Sequence, residues 1–139
     1  MSKKPKKTKV SVDTSIKLTT PAPPQGLSFS LKFLQTKHPK FSIESHDSQY
    51  LVALLERLRD LCGLTALDLK NNRSSSIRCH PIDWSDTSEN GFGIPNEDQL
   101  VDTPYQFSVS ANKHGRVHGF FIEEVFYIVW LDIDHKLYP

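Results

Sequence analysis

The last quarter of the chain gathers side chains that hold phosphates and move protons. Arg116, His118, Tyr127, His135, Lys136 and Tyr138 supply a fixed cation, two groups that titrate near neutrality, and phenols. That set suits phosphodiester chemistry. A guanidinium braces the charge that builds on a phosphate in the transition state, and an imidazole or a phenol moves the proton. Lys113, Tyr127 and Lys136 are the neighbours expected to touch the nucleic acid itself. Cys79, His80, His114 and His118 are zinc-type ligands, but a continuous strand over 114–118 would hold its two histidines about 13 Å apart, too far to share an ion. Asp132 and Asp134 follow an apolar run, where aspartates bind divalent ions in some enzymes and simply end strands in more. No metal and no cofactor is expected. The "GFG" at 91–93 lacks the spacing and the lysine of a phosphate-binding loop.

These residues must be positioned by two apolar runs, "RVHGFFI" (116–122) and "VFYIVWL" (125–131), joined through Glu123-Glu124. If the glutamates form a two-residue turn, Ile122 pairs with Val125, Phe120 with Tyr127, His118 with Val129 and Arg116 with Leu131. Phe121, Gly119 and Val117 then oppose Phe126, Ile128 and Trp130 on a wholly apolar face. Arg116 and His118, two apart, project from the other face. Glutamates form tight turns poorly, and a slip of one residue would exchange the faces. The second run is apolar on both faces, as in an interior strand. Its burial is worth on the order of 10 kcal/mol gross, enough to pin the residues that follow.

Upstream, "LSFSLKFL" (27–34) alternates like a half-buried strand, with Leu27, Phe29, Leu31 and Phe33 on one face. "SQYLVALLERLRDLCG" is a helix whose stripe is Leu51, Leu54, Leu55, Leu58, Leu61 and Cys62. Asp47 or Ser48 caps it. Thr65 with Asp68 resembles a capping box that opens a second short helix. A strand broken by Pro81 (75–84), a long acidic loop (85–103) and an alternating strand (104–111) complete the pattern. The fold class is α+β: a helical hairpin on a mostly antiparallel four- to five-stranded sheet, in the order β-α-α-β-β-β-β.

Composition sets the domain plan. At 139 residues this is a single domain, 26–139, behind a Lys- and Pro-rich tail, 1–25, that reads as disordered. The formal charge is +1, yet five lysines lie in the first nine residues, and from Gly26 onward 11 basic residues face 15 acidic ones. Cys62 and Cys79 read as small core residues rather than a disulfide. No apolar run approaches the roughly 18 residues of a membrane span, and none follows the basic N-terminus as a signal peptide requires. The expectation is a cytoplasmic protein with no membrane partner.

"GRVHGFFIEEVFYIVWLDIDHKLY" resembles the C-terminal half of the RelE/ParE toxin superfamily. There an arginine opens a strand, a short turn leads to an apolar strand, and the chain closes on a basic or His/Tyr group. The chain end is also similar to uncharacterised small bacterial proteins ending in "VFYIVWLD-x-x-H-x-LYP". The superfamily resemblance implies RNA cleavage by attack of a 2′-hydroxyl on the adjacent phosphate. It places Arg116 at the phosphate-steadying position and His135 and Tyr138 at the acid or base positions; His118 is added from its place on the strand. It further implies an antitoxin or other protein partner and RNA or the ribosome as target. A non-catalytic subunit of a defence or mobile-element complex is the alternative.

Overall fold

The computed structural model describes residues 25–44 and 46–139; the tail expected to be disordered lies, but for Gln25, outside them. In chain order the elements are β1 (Ser28–Ser30), α1 (Ser48–Leu61), α2 (Ala66–Lys70), β2 (His80–Pro81), a 3-10 turn (Trp84–Asp86), α3 (Glu97–Leu100), β3 (Pro104–Ser108), β4 (Arg116–Ile122) and β5 (Val125–Asp132). The class is α+β. The five strands form one sheet in the order β1-β5-β4-β3-β2. All neighbours are antiparallel except β1, which runs parallel to β5. The acidic 85–103 segment is not bare loop, since it includes the end of the 3-10 turn and α3.

Local chemistry explains the helices. The Asp47 carboxylate accepts from the Tyr50 N–H at 3.2 Å and caps α1. Thr65 and Asp68 form the reciprocal capping box at α2. The expected stripe on α1 is rotated, however. Tyr50, Leu54 and Leu61 are the residues it buries, whereas Leu51, Leu55 and Cys62 are exposed. The reason lies on the same side of the helix. Arg57 donates from Nε to the Val109 carbonyl and from Nη2 to the Ser76 carbonyl, both at 2.8 Å. A guanidinium committed to two backbone acceptors fixes which face turns inward.

The helical hairpin covers one face of the sheet, with Leu54, Leu61, Ala66 and Leu69 against Phe107, Val117, Phe126 and Leu131. The other face is not open either. Phe41, Ile82, Phe92, Ile94 and Leu137, from connecting segments and the chain end, pack onto Phe120, Val129 and Trp130. β5 is thus an interior strand, paired on both edges and buried on both faces. β1 is shorter than its alternation suggested: the chain leaves the sheet after Ser30, and Leu31 is exposed.

The β4–β5 register follows the two-residue turn from Ile122↔Val125 to Gly119↔Ile128, then breaks. Glu123 takes a left-handed φ of 53°. Glu124 anchors the turn, its carboxylate accepting the Ala66 N–H at 2.8 Å. A β-bulge lies between His118 and Gly119, so that His118 pairs with Trp130, Val117 with Leu131 and Arg116 with Asp132. The extra residue, Val129, offers its carbonyl to the Gln35 N–H at 2.9 Å, and the Trp130 indole N–H donates to Gln35 Oε1 at 2.8 Å. Expected pairings of His118 with Val129, Val117 with Trp130 and Arg116 with Leu131 are therefore corrected, because a bulge sets two residues opposite one. Trp130 and Asp132 move to the face of His118.

Gly119 sits at the break. A Cβ there would lie 2.0 Å from the Tyr127 carbonyl oxygen and 2.8 Å from the Phe126 ring. Gly119→Ala is expected to cost about 3 kcal/mol through overpacking, read as a lower urea midpoint. An unchanged midpoint would mean the bulge is not held as described.

Candidate functional site

Strand pairing places a row of polar groups across the sheet. His80 pairs with Gln106, Gln106 with His118, and His118 with Trp130. In the next row Ser108 pairs with Arg116 and Arg116 with Asp132. Paired residues share a face, so the bulge that delivers Asp132 completes a cluster of one acid, one guanidinium and two imidazoles.

Asp132 organises the cluster. Its carboxylate accepts from His118 Nε2 at 3.0 Å, from the Lys136 N–H at 2.7 Å and from the Leu137 N–H at 3.0 Å. Burial alone would push this carboxyl up; the hydrogen bond from His118 and those from the two backbone N–H groups outweigh it and hold it below its usual value. Complete burial pushes the His118 imidazole down against the pull of Asp132, helped by the charges of Arg116 and His135. His118 is thus neutral, with its proton on Nε2 facing an ionised Asp132. Among the described residues its Nδ1 is a buried lone pair without a partner.

The chain end folds over this acid. Leu137 is fully buried, and its carbonyl accepts the Ser88 N–H at 2.8 Å. His135 takes a left-handed φ of 56°, which turns the backbone so that residues 136 and 137 reach back to Asp132. Tyr138 lies under the 3-10 turn, its hydroxyl accepting the Asp83 N–H at 3.3 Å. Burial, opposed by that bond and aided by Asp86 and Asp83, raises its pKa, so the phenol stays protonated.

His80, Gln106, Arg116, Asp132, His135 and Tyr138 line a cavity of about 250 Å³. Of the residues expected from sequence, Arg116, His135 and Tyr138 come together there. His118 lies beneath, sealed from the cavity by full burial and edge-on to Phe41 and Trp130. Lys113 lines a neighbouring cavity. The Lys136 side chain is exposed. Tyr127 sits toward the turn, stacked on Phe120 at 5.2 Å. His80 and Gln106 join the site without having been expected. Their alternation with His118 becomes visible only once β2, β3 and β4 are paired.

The Gln106 amide donates to His80 Nε2 at 3.0 Å, and His80 Nδ1 faces the Pro81 carbonyl at 3.0 Å. Arg116 donates from Nη1 to Ser108 Oγ. Burial, then the charge of Arg78, push the Arg116 guanidinium's pKa down, while Asp132 works the other way. Among the described residues no group of three or more His, Cys, Asp or Glu is placed to hold a metal ion. Cys79 is buried, its thiol pushed up to about 12 by burial against the charges of Arg73 and Lys70. Among the described residues no helix is long and apolar enough to cross a membrane. Compared with known proteins, the chain matches no family model, no curated protein and no solved structure.

The buried pair makes stability depend on pH with a definite sign. His118 is depressed, so the unfolded chain binds its proton first as pH falls below about 6.5, and stability falls from there downward. Asp132 is also depressed, so a second loss begins below about pH 4. His118→Gln is expected to flatten the decline between pH 6.5 and 4 while leaving the loss below it. Urea midpoints across pH check this, and equal slopes in both proteins would refute it.

Proposed function

We propose that this chain is a metal-independent, toxin-like endoribonuclease of a toxin–antitoxin or phage-defence system, working in the cytoplasm with an antitoxin or other protein partner. The observation that supports it most is the 250 Å³ cavity in which two imidazoles, a guanidinium and a phenol converge. Those are the parts an internal phosphodiester transfer needs. A neutral imidazole takes the proton of the 2′-hydroxyl as its oxygen bonds to phosphorus. Arg116 carries the charge on the phosphate oxygens. The P–O5′ bond breaks, and the second imidazole, protonated, gives its proton to the leaving oxygen. The products are a 2′,3′-cyclic phosphate and a 5′-hydroxyl, with no water or metal consumed.

His80 and His135 take the proton-moving roles. Tyr138, kept protonated, donates to a phosphate oxygen or to the leaving group. The Gln106 Oε1, unpartnered among the described residues, suits a working His80: when Nε2 gains a proton, the amide turns its oxygen to receive it. His118 acts through Asp132 as a positioning residue for the segment that carries His135 and Tyr138.

A second reading, a non-catalytic interaction subunit of a bacterial defence or mobile-element complex, is supported by the outer side of α1. There Leu51, Val52 and Leu55 are 47%, 54% and 64% exposed, an apolar row of the kind a partner covers.

Expression is expected to arrest growth, relieved by Arg116→Ala. In vitro, Arg116→Ala should slow RNA cleavage about 10²- to 10³-fold, and His80→Gln or His135→Gln about 10²- to 10⁴-fold. RNA left intact by the wild-type protein, alone and on translating ribosomes, would leave only the interaction reading.

A further inference from the structure

Arg116 and His135 are shared by two cavities. The second holds about 220 Å³ and is lined beyond them by Arg78 and by the Ser110–Lys113 turn. The turn is built rather than loose. Ser110 Oγ donates to the Lys113 carbonyl at 2.6 Å and accepts the Lys113 N–H at 3.2 Å. Its far side is pinned where Gly115, at a φ of 67°, meets β5 so closely that a Cβ would lie 2.0 Å from the Asp132 carbonyl oxygen. Among the described residues, Arg78, Lys113 and Arg116 enter no ion pair. Arg57 and Arg73 differ, since both are bound to backbone carbonyls. Arg78 is held at a left-handed φ of 49°, and His114, beside Lys113, at 67°. Non-glycine residues held in that region store strain, and such strain gathers at binding sites.

We infer that the second cavity is a subsite for a second phosphate, so that the ligand is a single-stranded polynucleotide gripped at two successive backbone phosphates with Arg116 between them. One small anion can satisfy only one cavity; a ligand with regularly repeated charge satisfies both. Arg116 still has donors to spare after Ser108. Its repulsion with Arg78 is relieved when phosphates enter on either side. This rests on the phosphodiester reading of the first cavity and adds to it the length and charge of the ligand.

The test uses the full chain and dinucleotides bearing a 2′-O-methyl group, which cannot be cleaved, with and without a 3′-phosphate. They compete against a labelled 2′-O-methyl oligoribonucleotide. The 3′-phosphate is expected to tighten binding roughly tenfold, the scale of one charged hydrogen bond. In Arg78→Asn combined with Lys113→Gln that ratio should fall to about one; asparagine tolerates the left-handed backbone at 78. The slope of log affinity against log salt should drop by about 0.7 for each phosphate that the protein no longer neutralises. The subsite is overturned if the 3′-phosphate brings no gain, if the gain survives the double substitution in a folded protein, or if polyglutamate competes as well as the oligonucleotide. If the gain is present but unmodified RNA is never cut, the subsite stands and the nuclease reading falls. If the single-phosphate dinucleotide does not bind in an Arg116-dependent way, both fall.

Discussion

The Asp132 carboxylate is buried and accepts hydrogen bonds from one imidazole and two backbone N–H groups. A buried carboxylate is costly unless its lone pairs are filled. Here the donors come from β4 and from the chain end, so stabilising the charge and closing the fold are one event. Leu137 can fill its hollow because Asp132 holds the N–H groups of residues 136 and 137, and Ser88 can bond the Leu137 carbonyl because Leu137 is in place. Removing the acid would loosen the segment that carries His135 and Tyr138 and also the acidic segment packed on it.

Asp132 occupies that position because of one extra residue. With an unbroken ladder, the even positions of β5 would face the helices beside Phe126 and Ile128. The bulge at Val129 shifts the pairing by one, sends Leu131 into the helix-side core and brings Trp130 and Asp132 to the other face. Gln35 takes up the irregularity with its backbone N–H and its side-chain oxygen. The strongest packing in the molecule and its polar site therefore share a strand, divided by a single irregular step.

Much of this was legible in the residues. Alternation located β3, β4 and β5, the caps of α1 and α2 stood in the right places, and the apolar run of β5 implied an interior strand. Arg116, His135 and Tyr138 could be grouped because hairpin geometry brings the start of β4 beside the end of β5. The bulge could not be read, since nothing in "YIVWLD" distinguishes a regular strand from one with an extra residue, and Gln35, which takes up the irregularity, lies far away in sequence. For the same reason Asp132 looked like a turn former, and nothing marked it as the buried partner of His118. His80 was hidden because β2 has two residues, too few for any periodicity. The stripe on α1 was misplaced because leucines outnumber Arg57, yet the arginine decides the facing.

The two ends of the β4–β5 hairpin are built on different terms. Toward the turn, Phe120, Tyr127, Phe121 and Phe126 pack ring on ring, and Glu123, the strained residue, is balanced by the bond from Ala66 to Glu124. At the other end unfavourable features accumulate: left-handed backbone at Arg78, His114 and His135, a buried Gln106 Oε1 that has no partner among the described residues, and the charge of Arg78 facing that of Arg116. A site that only had to be stable would remove them, because each has a cheaper apolar or glycine substitute. Their concentration around one pair of cavities is consistent with the proposed binding of a charged, hydrogen-bonding ligand. In the proposed complex the ligand would supply the missing anions, and the strained backbone would keep the cations aimed at them beforehand.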